Sequence, residues 1–225
     1  SLNVAIAPYN TSTAHVVHTG DNPDAIHAMH KHIDMFRKYS EFRDVLSPTE
    51  HTALMHIVHD IAQTLEKNGV DYMLDGGTLV GALMYNNRIP WDDDADIYIT
   101  SDMQPSAIRV LRARGYNVLP SYNGLYHKAW ISRGDRVQNG HAHEWPFVDI
   151  SWLDGNVTHL WERRVKERKY AHHVYPRSII HPTAMHVFGN TSLRVPFDGK
   201  TFLNIRFGAR WRDNCVNVNY NHKLE

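Results

Sequence analysis

Apolar residues recur at helical spacing in the first third of the chain and at strand spacing beyond it. Ile26, Met29, Ile33 and Phe36 fall three or four residues apart, which predicts an amphipathic helix. Ser47-Pro48-Thr49-Glu50 has the form of a capping box with proline at the first helical position. It leads into Leu54, Ile57, Val58, Ile61 and Leu65 on one face, and Asn68-Gly69 marks the stop. Val70 to Leu74 reads as a strand, Thr78 to Tyr85 as a short helix and Asp94 to Ile99 as the next strand. Pro105 to Arg114 predicts a helix, Leu125 to Ile131 and Phe147 to Leu153 two strands, and Thr201 to Arg210 a last short helix. Ser132 to Glu144 is the longest predicted loop. Helix and strand alternate, so the expected class is α/β (α+β), a mixed sheet flanked by helices.

The chain has 225 residues, 42% of them apolar, enough to bury one core. We expect a polar segment at 1–22, a single domain at 23–213 that includes the N-terminal helices, and a tail at 214–225. The final Leu224-Glu225 reads as a tag junction. Lys and Arg balance Asp and Glu at 24 each, so no bulk charge favours nucleic acid. Cys215 stands alone, which excludes an internal disulfide and a cysteine-built zinc site. No apolar run has bilayer length, and the chain opens on Ser1 rather than methionine. A membrane therefore enters only through an anchor upstream of this chain. Sequons beginning at Asn10, Asn156 and Asn190 suit a secretory lumen such as the Golgi, with the cytoplasm the alternative for a bacterial-like protein.

The chemistry concentrates in "MLDGGTLVGALMYNNRIPWDDDADIYI", Met73 to Ile99. Residues two apart in a strand share a face, so Asp94 and Asp96 project together, joined by Asp92 if the strand begins early. Converging carboxylates form a hard, oxygen-rich site that suits Mg²⁺ or Mn²⁺. Asp149 is the lone acid of "PFVDISWL", and an unpaired buried carboxylate is costly, which points it at the same cation. Gly76-Gly77-Thr78 stands between strand and helix, where backbone N–H groups can hold phosphate. Arg88 and Lys128 are further candidates for phosphate oxygens. Strand, Gly-Gly, short helix, Asp-x-Asp strand and a later strand Asp occur in the order of a nucleotidyltransferase fold.

The same segment resembles the signature of the LicD/fukutin-related family, with its Gly-Gly/Ser-Thr-Leu-x-Gly-Ala and Ile-Pro-Trp-Asp-x-Asp-x-Asp elements. The resemblance continues through "FVDISWLD" and "VPFDGKTFLNIRFGARWRD", from about Leu65 to Asp213. It implies transfer of a phosphorylated alcohol, such as phosphocholine or ribitol phosphate, from a CDP-linked donor to a glycan hydroxyl. It also implies that Asp92, Asp94 and Asp96 are the metal-site carboxylates and Asp149 the later acid, as metal ligand or as base. The cysteine-rich zinc insertion of the animal branch is absent, and Phe207 stands where tyrosine is commoner.

Other readings compete. A metal-dependent glycosyltransferase would also use Asp-x-Asp with a nucleotide-sugar, and a silent relative would keep the fold for glycan binding or regulation. His141-Ala142-His143-Glu144 lacks the helical spacing of a zinc motif and is expected to be solvated. Trp130, Trp145, Trp152 and Trp161 are expected in the core rather than stacked on a ligand.

Overall fold

The computed structural model describes residues 45–132, 142–166, 171–212 and 222. The helix expected around Ile26 to Phe36, the segments 1–22 and 23–44 and most of the tail lie outside these residues, as does the middle of the 132–144 loop.

Helix α1, Pro48–Lys67, begins as its capping box dictates: Glu50 N donates to Ser47 Oγ, and Ser47 N donates to the Glu50 carboxylate at 2.8 Å. Asn68 caps its C-terminus, and Gly69 follows at φ +69. The predicted apolar stripe is the buried one, joined by Met55 and Ala62. Next come β1 (Met73–Leu74), α2 (Gly76–Tyr85), β2 (Asp96–Thr100), α3 (Gln104–Arg114), β3 (Asn117–Ser121), β4 (Tyr126–Trp130) and β5 (Phe147–Gly155). The chain continues through β6 (His159–Glu162), β7 (Val174–Pro176), α4 (Arg177–Ile180), β8 (Ala184–Phe188), β9 (Thr191–Val195) and α5 (Gly199–Phe207).

The main sheet runs β1-β2-β5-β4-β3, and β6 and β7 extend from the far end of β5. Among the described residues only the β2–β5 pair is parallel; the other pairs of the sheet are antiparallel. Strand alternation gives the sheet two distinct faces. Ile97 and Ile99 of β2 stand beside Ile150 and Trp152 of β5, all buried. α1 packs on β5 and on α3, and Tyr116 after α3 donates to Asp60 of α1 at 2.7 Å. The intervening residues place Asp96 beside Asp149, and Asp149 beside Lys128, on the other face.

Several expected boundaries shift. β1 is two residues rather than Val70 to Leu74, and β2 begins at Asp96, not Asp94. α2 begins at Gly76, so the glycine pair forms its first turn instead of a loop ahead of it. α5 ends at Phe207 because Gly208 takes φ +87.

Candidate active site

Three carboxylates from two neighbouring interior strands meet at the N-terminal end of β2. Asp94 and Asp96 lead into β2, Asp149 lies opposite Asp96 on β5, and one oxygen from each falls within 4.8 Å of the others. At an effective dielectric near 20, two unit charges about 4 Å apart repel by roughly 4 kcal/mol. The crowding must therefore be relieved by protons or by a cation. Burial and the neighbouring carboxylates push Asp94 and Asp96 well above the usual carboxylate range. Asp92 stands beside the trio, hydrogen-bonded to Asp94, and burial raises it to about 6. Lys128 beside Asp149 and His222 beside Asp94 offset only part of this charge, and an all-carboxylate set of this kind fits a hard divalent ion.

The glycines are shaped to the acids. A Cβ on Gly76 would lie 2.8 Å from Asp96 Oδ2, and one on Gly77 would lie 2.5 Å from Asp92 Oδ2. Gly76 also takes φ +54, a left-handed conformation that favours glycine. Thr78 is buried and its hydroxyl accepts from the Asp96 amide at 2.9 Å. This threonine, expected at phosphate, braces the acidic strand from the first turn of α2 through its hydroxyl.

The two cations expected at phosphate are both buried beside the acidic site. Arg88 is buried under the loop that precedes the acids. Its Nη1 donates to the carbonyls of Ile89, Pro90 and Asp92, and its Nε donates to His51 on α1. It shapes the acidic loop by satisfying carbonyls that would otherwise be buried without donors. Lys128 is also buried, with Nζ 3.2 Å from Asp149 Oδ1 and 3.6 Å from the centre of the Phe147 ring. It offsets and directs Asp149.

His143 departs from the solvated expectation: it is buried, edge-on to Phe147 and Trp130. Trp145 donates to the Asp93 carbonyl at 2.7 Å, while Trp130 and Trp152 are core. His222 was not a sequence candidate, because nothing near it in the chain signals a site. Its Nδ1 lies 2.6 Å from Asp93 and its Nε2 3.1 Å from Asp94. Burial opposes its charge, but Asp93 and Asp94 outweigh burial and raise it to about 9.

Behind the Gly-Gly turn lies a second polar group that the sequence did not disclose. Arg206 of α5 places Nη2 3.0 Å from Asp75 Oδ2, donates from Nη1 to Tyr98 OH at 2.7 Å, and reaches Glu162 at 3.4 Å. Glu162 also pairs with Arg164 and lies 2.6 Å from His173. Burial alone would raise Glu162, yet His173, Arg206 and Arg164 bring it down to about 2. Asp75 shows the reverse balance: burial exceeds the pull of Arg206 and raises it to about 6.

A glycine turn fitted to an acidic strand, with a further acid on the adjacent parallel strand, defines a nucleotidyltransferase-like domain. The family model described as LicD/FKTN/FKRP, nucleotidyltransferase domain, matches residues 69–198, more than half of the chain, and the chain belongs to that family. The mouse protein named ribitol 5-phosphate transferase FKRP is 28% identical over 69% of this chain and 31% of its own length. Lipopolysaccharide cholinephosphotransferase LicD of Haemophilus influenzae is 49% identical over 40% of this chain and 37% of its own length. The chain thus spans about a third of each of these relatives. Among solved structures, the lincomycin-bound lincosamide antibiotic adenylyltransferase LnuA aligns over 68% of this chain and 96% of its own, at 13% identity and a TM-score of 0.42.

Proposed function

We propose that this domain moves a phosphorylated alcohol, of the phosphocholine or ribitol-phosphate kind, from a CDP-linked donor to a glycan hydroxyl, with Mg²⁺ or Mn²⁺ held by Asp94, Asp96 and Asp149. The observation that carries the reading is the convergence of those three carboxylates beside a Gly-Gly helix start. The names of the two relatives support the class of group transferred. A bound divalent ion would neutralise the donor diphosphate and the departing CMP.

The chain's own residues supply the rest. The first turn of α2, at Gly76, Gly77 and Thr78, offers N–H groups and the positive helix end to phosphate oxygens. Asp149, directed by Lys128, either completes the metal site or takes the proton of the attacking hydroxyl. A lumenal setting of the Golgi kind belongs to the same proposal, supported by the exposed sequon asparagines Asn156 and Asn190. Among the described residues no helix is long and apolar enough to cross a membrane.

Thermal stabilisation by candidate donors tests the reading. A CDP-linked alcohol with Mn²⁺ should raise the melting temperature more than a UDP- or GDP-sugar does, and only with metal. At about 100 times its Kd a ligand contributes roughly 2.7 kcal/mol. Greater stabilisation by a UDP-sugar would favour a glycosyltransferase instead.

A further inference from the structure

We infer that Arg206 is a positioning residue for the metal carboxylates: it grips the glycine turn through Asp75 and the metal-bearing strand through Tyr98, and so sets their separation without touching the site. This rests on the metal reading above. Asp75 immediately precedes Gly76, and its amide donates to the Asp96 carbonyl at 3.1 Å while its carbonyl accepts from Leu79. Tyr98 lies two residues after Asp96, so its side chain leaves the same face of β2. A single guanidinium therefore contacts a side chain on each of two elements that approach so closely that a Cβ on Gly76 would lie 2.8 Å from Asp96 Oδ2.

Besides Arg206, the Asp75 carboxylate meets the Gly76 backbone N–H and feels the charge of Arg164. Asp75 is N-cap of α2 but makes no side-chain capping bond, and its Oδ1 is buried with no hydrogen-bond partner among the described residues. Arg206 is fixed in turn: Glu162 holds Nη1 from β6, and Glu162 is held by Arg164 and His173. A planar fork that must meet Asp75, Tyr98 and Glu162 at once is a task lysine cannot reproduce with one ammonium. The exposed ring of Phe207, with the Arg206 guanidinium 5.4 Å from its centre, covers one side of that fork.

The test compares Arg206→Met, Arg206→Lys and the double variant Asp75→Asn/Arg206→Met with the parent chain. Amide hydrogen exchange in metal-free protein should show protection lost in Arg206→Met at the hydrogen-bonded amides of Asp75, Leu79 and Asp96, with α1 and the β4–β5 pair unchanged. Mn²⁺ titrated below each variant's melting range should bind about tenfold or more weakly to Arg206→Met, the scale of losing an outer-shell partner. Arg206→Lys should recover only part of that affinity. Removing the stranded acid in the double variant should restore melting temperature but not Mn²⁺ affinity. Uniform loss of protection across the domain, or local protection and Mn²⁺ affinity equal to the parent's, would overturn the inference. Should the parent itself bind no Mn²⁺, the metal reading fails, and the exchange pattern alone then decides whether Arg206 sets the turn.

Discussion

Asp94 and Asp96 carry opposite consequences for stability and for binding. Their charges are crowded against Asp149, so neutralising two of them relieves repulsion in the metal-free protein while deleting two of the proposed cation ligands. Asp94→Asn/Asp96→Asn should melt at the parent's temperature or higher without metal, and calorimetry should find Mn²⁺ binding abolished; undiminished binding contradicts the assignment. The glycines give a second comparison. Gly77→Ala drives a methyl onto Asp92 and should cost about 1–3 kcal/mol by denaturant unfolding, with weakened Mn²⁺ binding. Gly69→Ala, left-handed but with nothing within 4 Å, should cost only about 1–2 kcal/mol and leave Mn²⁺ affinity alone. The acids and glycines were readable because strand parity and a strand-to-helix glycine pair are local signals. Arg206 was not, since its partner Asp75 lies far away in sequence and only folding joins them.

Among the elements, α1 was the most legible because proline, capping box, apolar stripe and Asn-Gly stop all agree. Ser47→Ala should lower stability by about 1 kcal/mol in urea unfolding and leave metal binding intact. β3 escaped prediction because Pro120 lies inside it, as an edge strand tolerates. β8 and β9 escaped because their hairpin is only partly buried and β8 exposes apolar Met185 and Val187, so no apolar–polar alternation marks it. β6 carries an acid test of the buried cluster. The Glu162 carboxyl is held at about 2, below the ordinary value of 4.5, so its stabilisation is complete above about pH 4.5 and is lost as pH falls towards 2. Glu162→Gln should be less stable at neutral pH and show a flatter decline between those values by thermal melting. An unchanged acid limb would remove the cluster's claimed contribution.

At the scale of the molecule, the sheet juxtaposes two acidic segments more than fifty residues apart in sequence and sets a helix start beside them. The fold class was legible from alternating helix and strand periods, and the convergence of Asp94, Asp96 and Asp149 from strand parity and the lone acid of "PFVDISWL". The direct measurement is product analysis by mass spectrometry, with purified protein, Mn²⁺, a glycan acceptor and either CDP-ribitol or CDP-choline. The account predicts metal-dependent release of CMP with a phosphorylated alcohol gained by the acceptor, and loss of both in Asp94→Asn/Asp96→Asn. Release of a nucleoside diphosphate from a nucleotide-sugar, with the bare sugar on the acceptor and no CMP from either CDP-alcohol, would contradict it.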